Sequence, residues 1–178
     1  MKLFAQVVGI VAVVTFLLSY QFKKRKNIII VNALANFLYV LQYILLGAFE
    51  GVAMDAITAV STVVANNKDK GIIQKYTKII IILQNLALLG AGLALYKNLF
   101  SLCSVAGAIL QASAFWLTKE KTIRIVSFLG APFWLVYNIA NGAFGSAVGS
   151  ALSIASIGVA ILRYDVIPVI KKEKGINI

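Results

Sequence analysis

The chain has 178 residues, is 61% hydrophobic and carries only 13% charged residues. A soluble domain of this length would carry about 25% charged residues, so a water-soluble globular protein is excluded. The net charge of +11 suggests nucleic acid, but the basic residues sit between apolar runs, as positive-inside loops do in a polytopic membrane protein.

The apolar runs are about 17–21 residues long, each close to the length that crosses a ~30 Å hydrocarbon core as a helix. Span 1 is Leu3–Tyr20, followed by Lys23-Lys24-Arg25-Lys26. No small-x-small cleavage site follows this run, so it is read as a retained span rather than a signal peptide. Span 2 is Ile28–Ala48. The turn Gly47-Ala48-Phe49-Glu50-Gly51, with Glu50 solvated, leads to span 3, Val52–Asn66. A basic linker, Asn67–Lys78, precedes span 4, Ile79–Tyr96. After Lys97 comes span 5, Leu99–Leu117, and then the loop bearing Lys119, Lys121 and Arg124. Span 6 is Ile125–Ala143 and span 7 is Ala147–Leu162, with Arg163–Ile178 expected as a basic surface tail. With the N-terminus outside, 15 of the 17 Lys and Arg residues fall on the cytoplasmic side. This bias supports seven spans, N-terminus out and C-terminus in.

Leu34–Ala65 laid on Leu129–Ala160, an offset of 95, matches at nine of 32 positions, anchored by Gly47-Ala48-Phe49 on Gly142-Ala143-Phe144. A self-match at fixed offset signals an internal repeat. Spans 1–3 then correspond to spans 5–7, and the single crossing of span 4 leaves both units in one orientation. The expected fold is all-α: two parallel three-helix repeats joined by a linker helix, a 3+1+3 plan found among secondary transporters. The divisions are residues 1–66 (first repeat), 67–98 (basic loop and linker helix), 99–162 (second repeat) and 163–178 (tail).

This layout, with an aromatic residue in the middle helix of each unit, resembles the SWEET/PQ-loop superfamily. Within it, the size, the short basic loops and the N-terminal Gly9-Ile10-Val11-Ala12 resemble the YgjV-type bacterial inner-membrane proteins. The Pro-Gln dipeptide of the PQ-loop group is absent, and only Pro132 and Pro168 occur. Where the sugar transporters pair aromatics with asparagines, this chain has Thr58, Ser61, Ser153 and Ser156. The resemblance implies a multi-pass inner-membrane architecture with a midplane site, but not sugar as the substrate.

Polar side chains within spans tend to face the bundle interior. Asn32, Asn36, Tyr39 and Tyr43 step by four, three and four, which puts them on one helical face. The positions 95 further on are Ser127, Ala131, Trp134 and Asn138. The two stripes are read as walls of one substrate site, with Asn36, Tyr39, Tyr43, Trp134 and Asn138 as its contacts; interhelical packing is the alternative. Asp55, aligned with Ser150, is a candidate proton or gate residue, with a headgroup-facing carboxylate as the alternative. Pro132 is a candidate hinge in span 6. Gln6, Gln84, Asn85 and Gln111 are assigned to interhelical hydrogen bonds.

There is no histidine and a single cysteine, Cys103, so an enzyme, a metal site and a cofactor are not expected. The expected partners are an unidentified small solute and the lipid bilayer, not nucleic acid. A homo-oligomer is compatible with the sequence. The leading reading is a transporter of a small polar solute by alternating access; a receptor or assembly protein of the same fold is the alternative.

Overall fold

Apolar helices joined by very short polar segments have little choice but to run antiparallel to their neighbours. The computed structural model describes residues 2–46, 49–96, 98–140 and 144–173. It is all-α, with no strand among the described residues. The helices are α1 (Lys2–Ser19), α2 (Arg25–Leu46), α3 (Phe49–Asn66), α4 (Gly71–Ala94), α5 (Ser101–Ala114), α6 (Glu120–Ala140) and α7 (Phe144–Ile161). A single π-helical turn, Leu162–Val166, then carries the chain into α8, Ile167–Glu173.

Among the described residues, four stretches are long and apolar enough to cross a membrane: Arg25–Leu45, Gly71–Ala94, Glu120–Ala140 and Ala147–Ile170. Leu3–Ser19, Gly51–Asn66 and Ser101–Ala114 are apolar but shorter. Seven full-length spans were expected, and α5 falls furthest short, with 14 residues against an expected 19. At 1.5 Å per residue it rises only about 21 Å. Its predicted last turn is unwound because the carbonyls of Phe115, Trp116 and Leu117 are taken by side chains from elsewhere.

Three other expectations change. The linker read as Asn67–Lys78 shrinks to residues 67–70, because Gly71, at φ +45°, turns the chain directly into α4. Lys75 and Lys78 therefore ride on the first two turns of α4, where long side chains can reach out of an apolar layer. Phe49, Glu50 and Gly51 belong to the first turn of α3. The turn residues Gly47 and Ala48, their counterparts Gly142 and Ala143, Lys97 and the Glu50 side chain lie outside what the structure describes. The surface tail proves to be helical up to Glu173, and its first turn is docked: Asp165 pairs with Arg124, and the Tyr164 hydroxyl donates to the Gln21 carbonyl at 2.8 Å.

Helices α1, α2 and α3 pack in succession, as do α5, α6 and α7. The two groups meet where α3 touches α5 and α7 touches α1, and α4 lies outside against α3 and α5. Small residues set the close approaches. Gly92 of α4 faces Val105 and Met54, and Gly149 of α7 faces Val13. Gly90 faces open space. Large apolar side chains such as Phe37, Ile82, Leu86, Leu129 and Val159 are exposed, as expected of surfaces wetted by lipid rather than water.

The ends of α1, α3, α5 and α7 and the starts of α2, α4 and α6 form one basic end of the bundle. It is closed by a core that includes Tyr20, Ile28, Ile29, Phe115, Trp116, Ile123 and Ile157. Polar clasps surround this core. Arg25 donates to the carbonyls of Leu117 (2.7 Å), Phe115 (2.6 Å) and Ala65 (3.0 Å). Lys68 donates to the Trp116 carbonyl at 2.7 Å. Arg124 donates to both carboxylate oxygens of Asp165 (3.1 and 3.2 Å) and to the Phe22 carbonyl (2.9 Å). Burial and the nearby Arg25 guanidinium push the Lys68 ammonium below its ordinary pKa, against a smaller pull upward from Asp69. The sequence treats these charges only as topology signals; here three of them are buried or half-buried connectors between the two helix groups.

Candidate functional site

The stripes predicted on α2 and α6 line one central cavity of about 610 Å³. All six helices other than α4 contribute to its wall. Asn36, Tyr39, Tyr43, Asp55, Ser127, Ala131, Trp134 and Asn138 all reach it. Asn32 does not. It lies one turn closer to the basic end, fully buried, where its amide contacts Tyr20 OH at 3.5 Å and accepts from Asn36 at 3.2 Å. Pro132 is absent from the wall: it is exposed on the outer side of α6, which runs continuously through it.

Glycines position the aromatic rings. A Cβ at Gly51 would meet the Tyr43 ring at 2.7 Å, so the ring lies flat on the α3 backbone one turn from Asp55. A Cβ at Gly107 would meet Trp134 at 2.8 Å and the Gly130 carbonyl at 3.3 Å. Tyr39 stacks on Tyr43 with ring centres 6.3 Å apart, and Phe16 meets Tyr39 edge-on at 6.4 Å. Gly107→Ala should therefore displace the indole and destabilise the protein by about 1–3 kcal/mol. A lower melting temperature together with a blue-shifted, altered tryptophan emission would register it, whereas an unchanged spectrum would show that the indole does not rest there.

The two sides of the cavity differ in charge. On one side, Asn138 of α6 donates to the Ser150 hydroxyl of α7 at 3.0 Å. At the positions 95 residues earlier, Tyr43 and Asp55 are neighbours within electrostatic reach of each other. The Asp55 side chain is among those that line the cavity. No lysine or arginine is among the cavity-lining residues described. Of the side chains assigned to interhelical bonds, Gln84 and Asn85 behave so: Gln84 accepts from Trp116 at 2.7 Å and bonds Ser61, and Asn85 accepts from Ser113 at 3.4 Å. Gln6 and Gln111 instead line the cavity, joined by Gln42, which sequence reasoning did not single out. Gln42 sits one residue off the Tyr39–Tyr43 stripe, and its end lies against Gly9 of α1, a small residue that was the only available signal.

Fold and cavity define a polytopic helical membrane protein with a polar-aromatic chamber at the junction of two helix groups. The chain belongs to the Imp-YgjV family, described as a bacterial inner membrane protein, whose model matches residues 3–166. No curated protein and no solved structure matches it significantly.

Proposed function

We propose that this protein is a transporter of a small polar solute, working by alternating access between two parallel three-helix repeats, α1–α3 and α5–α7, with α4 as linker. The observation that carries this reading is the chamber itself, walled by both groups and lined by pseudo-equivalent stripes. Chambers of 300–1,000 Å³ with a few convergent polar groups are typical ligand sites.

Contacts related by the 95-residue offset support the repeat. Ser61 of α3 meets Trp116 at 3.3 Å, and Ser156 of α7 meets Gln21 at 3.0 Å; 156 − 61 and 116 − 21 are both 95. The carbonyls of Trp116 and Gln21 each accept a further bond, from Lys68 and Tyr164, which are not themselves related by the offset. The carbonyls of Leu117 and Phe22, 95 apart, accept from Arg25 and Arg124, which are not themselves related by the offset. Such reciprocity is what a two-fold axis along the membrane normal produces, and it fits the likeness to the SWEET/PQ-loop plan. The basic end is the cytoplasmic side in this reading, with the N-terminus outside and the C-terminus inside. The clasps form the closed inner gate, Asp55 sits on the outer half of the site, and Pro132, lacking one helix hydrogen bond, is where α6 bends most cheaply.

Counterflow in proteoliposomes, screened with labelled sugars, nucleosides, amino acids and amines, tests the reading. At least one solute should show saturable uptake, and Trp134→Ala should lower it about tenfold or more, since the indole is a wall of the site. The variant should still elute as a monodisperse species. Saturable binding with no flux would instead indicate a receptor.

A further inference from the structure

A carboxylate inside a membrane protein needs a counter-charge, a proton or water, because an unpaired charge away from water is costly. Asp55 lines the central cavity, and among the described residues no lysine or arginine pairs with it there. The cavity's described wall contains no other ionised side chain. An anionic solute would meet repulsion with nothing to offset it.

Asp55 shares this cavity with three aromatic rings, Tyr39, Tyr43 and Trp134. Tyr43 lies on Gly51, one turn along α3 from Asp55, and Tyr39 stacks on Tyr43. Trp134 faces in from the opposite helix group, held on Gly107. A proton on Asp55 would gain nothing from three aromatic faces. An ammonium group would gain from each of them, since aromatic faces attract cations most strongly where water is excluded. A bare metal ion fits poorly, because the chamber of about 610 Å³ is far larger than a hydrated ion's needs and its wall is mostly apolar and aromatic. Amides from Gln6, Gln42 and Asn138 could hold hydroxyl or carbonyl groups on the rest of a solute.

We propose that the solute is an organic monocation, an amine or quaternary ammonium compound, with Asp55 as its counter-ion and Tyr39, Tyr43 and Trp134 as its aromatic cage. This rests on the transport-site reading above and adds the sign of the charge and the residues that read it.

The test uses two pairs of probes that differ in charge and little in shape: choline with 3,3-dimethylbutan-1-ol, and phenethylamine with 2-phenylethanol. Binding to the full chain in nanodiscs is read at pH 7.5 by quenching of tryptophan emission and by calorimetry. The cation of at least one pair should bind about tenfold or more tightly than its neutral partner. In Asp55→Asn that preference should vanish, and in Trp134→Leu it should fall while the protein remains folded. Should Asp55→Asn not fold, the wild-type comparison of each pair still decides. Equal affinity within both pairs, or no binding of either cation up to millimolar concentration, overturns the proposal. Neutral solutes carried as well as cations would overturn it and leave transport standing. Cation-selective binding without uptake into proteoliposomes would support it and overturn transport.

Discussion

Arg124→Ala should be among the most destabilising single substitutions in this protein, costing about 3–5 kcal/mol. The Arg124 side chain is 2% exposed and that of Asp165 is 7% exposed. The guanidinium donates to both carboxylate oxygens of Asp165 and to the Phe22 carbonyl, and stands 5.0 Å over the Tyr164 ring. Truncation to alanine removes the cation and leaves the buried Asp165 carboxylate without this partner. That asymmetry, and not the attraction of the pair itself, sets the size of the effect. Arg124→Lys should rescue little, because one ammonium cannot reproduce a planar fork reaching two elements. The melting temperature in detergent should fall by on the order of 10 °C. Arg124→Leu combined with Asp165→Leu should recover much of the loss, since no charge is then left buried alone. A double variant no more stable than Arg124→Ala would show that packing, not the stranded carboxylate, is what the arginine provides.

The cavity wall was legible in the sequence and the closed end was not, for a physical reason. A stripe at spacings of four, three and four declares a helical face, and the 95-residue offset supplied its counterpart, so Asn36, Tyr39, Tyr43, Trp134 and Asn138 could be placed on one chamber. Asn32 fits the same period yet drops into the core, because periodicity fixes direction around a helix and not depth along it. The clasps escaped because most of their acceptors are backbone carbonyls, which leave no side-chain signature. Arg25, Lys68 and Arg124 obey the positive-inside pattern whether they are solvated or buried, so counting them could not reveal that Arg124 is almost wholly enclosed. The tail was misjudged for the same reason: Arg163, Lys171 and Lys172 looked like a solvated run, while Tyr164 and Asp165 between them dock on Gln21 and Arg124. One usable clue was present. Ser61 and Ser156 are identical residues 95 positions apart, and their contacts with Trp116 and Gln21 are the ones that offset would pair.

Arg25→Ala should open the basic end rather than unfold the protein. Arg25 contributes no described contact to the cavity wall; its three carbonyl acceptors lie on α3 and on the segment after α5. The bonds to Phe115 and Leu117 run from one helix group to the other, so they exist only while the basic end is closed. Hydrogen bonds from a charged donor contribute about 1.5–3 kcal/mol each. Their removal should raise the open population by about a hundredfold, the equivalent of roughly 2.7 kcal/mol. Cys103 is the only cysteine, so a reporter is simple to build: Cys103→Ser with Ser127→Cys, at a position 3% exposed on the cavity wall toward the basic end. A membrane-impermeant maleimide applied from the basic side should label this parent slowly and the Arg25→Ala version about a hundredfold faster. Applied from the opposite side, the same reagent should label the Arg25→Ala version more slowly than the parent, because a chamber that opens at one end under alternating access closes at the other. Faster labelling from both sides would mean general loosening, and unchanged labelling from both would mean that the arginine fastens nothing that moves.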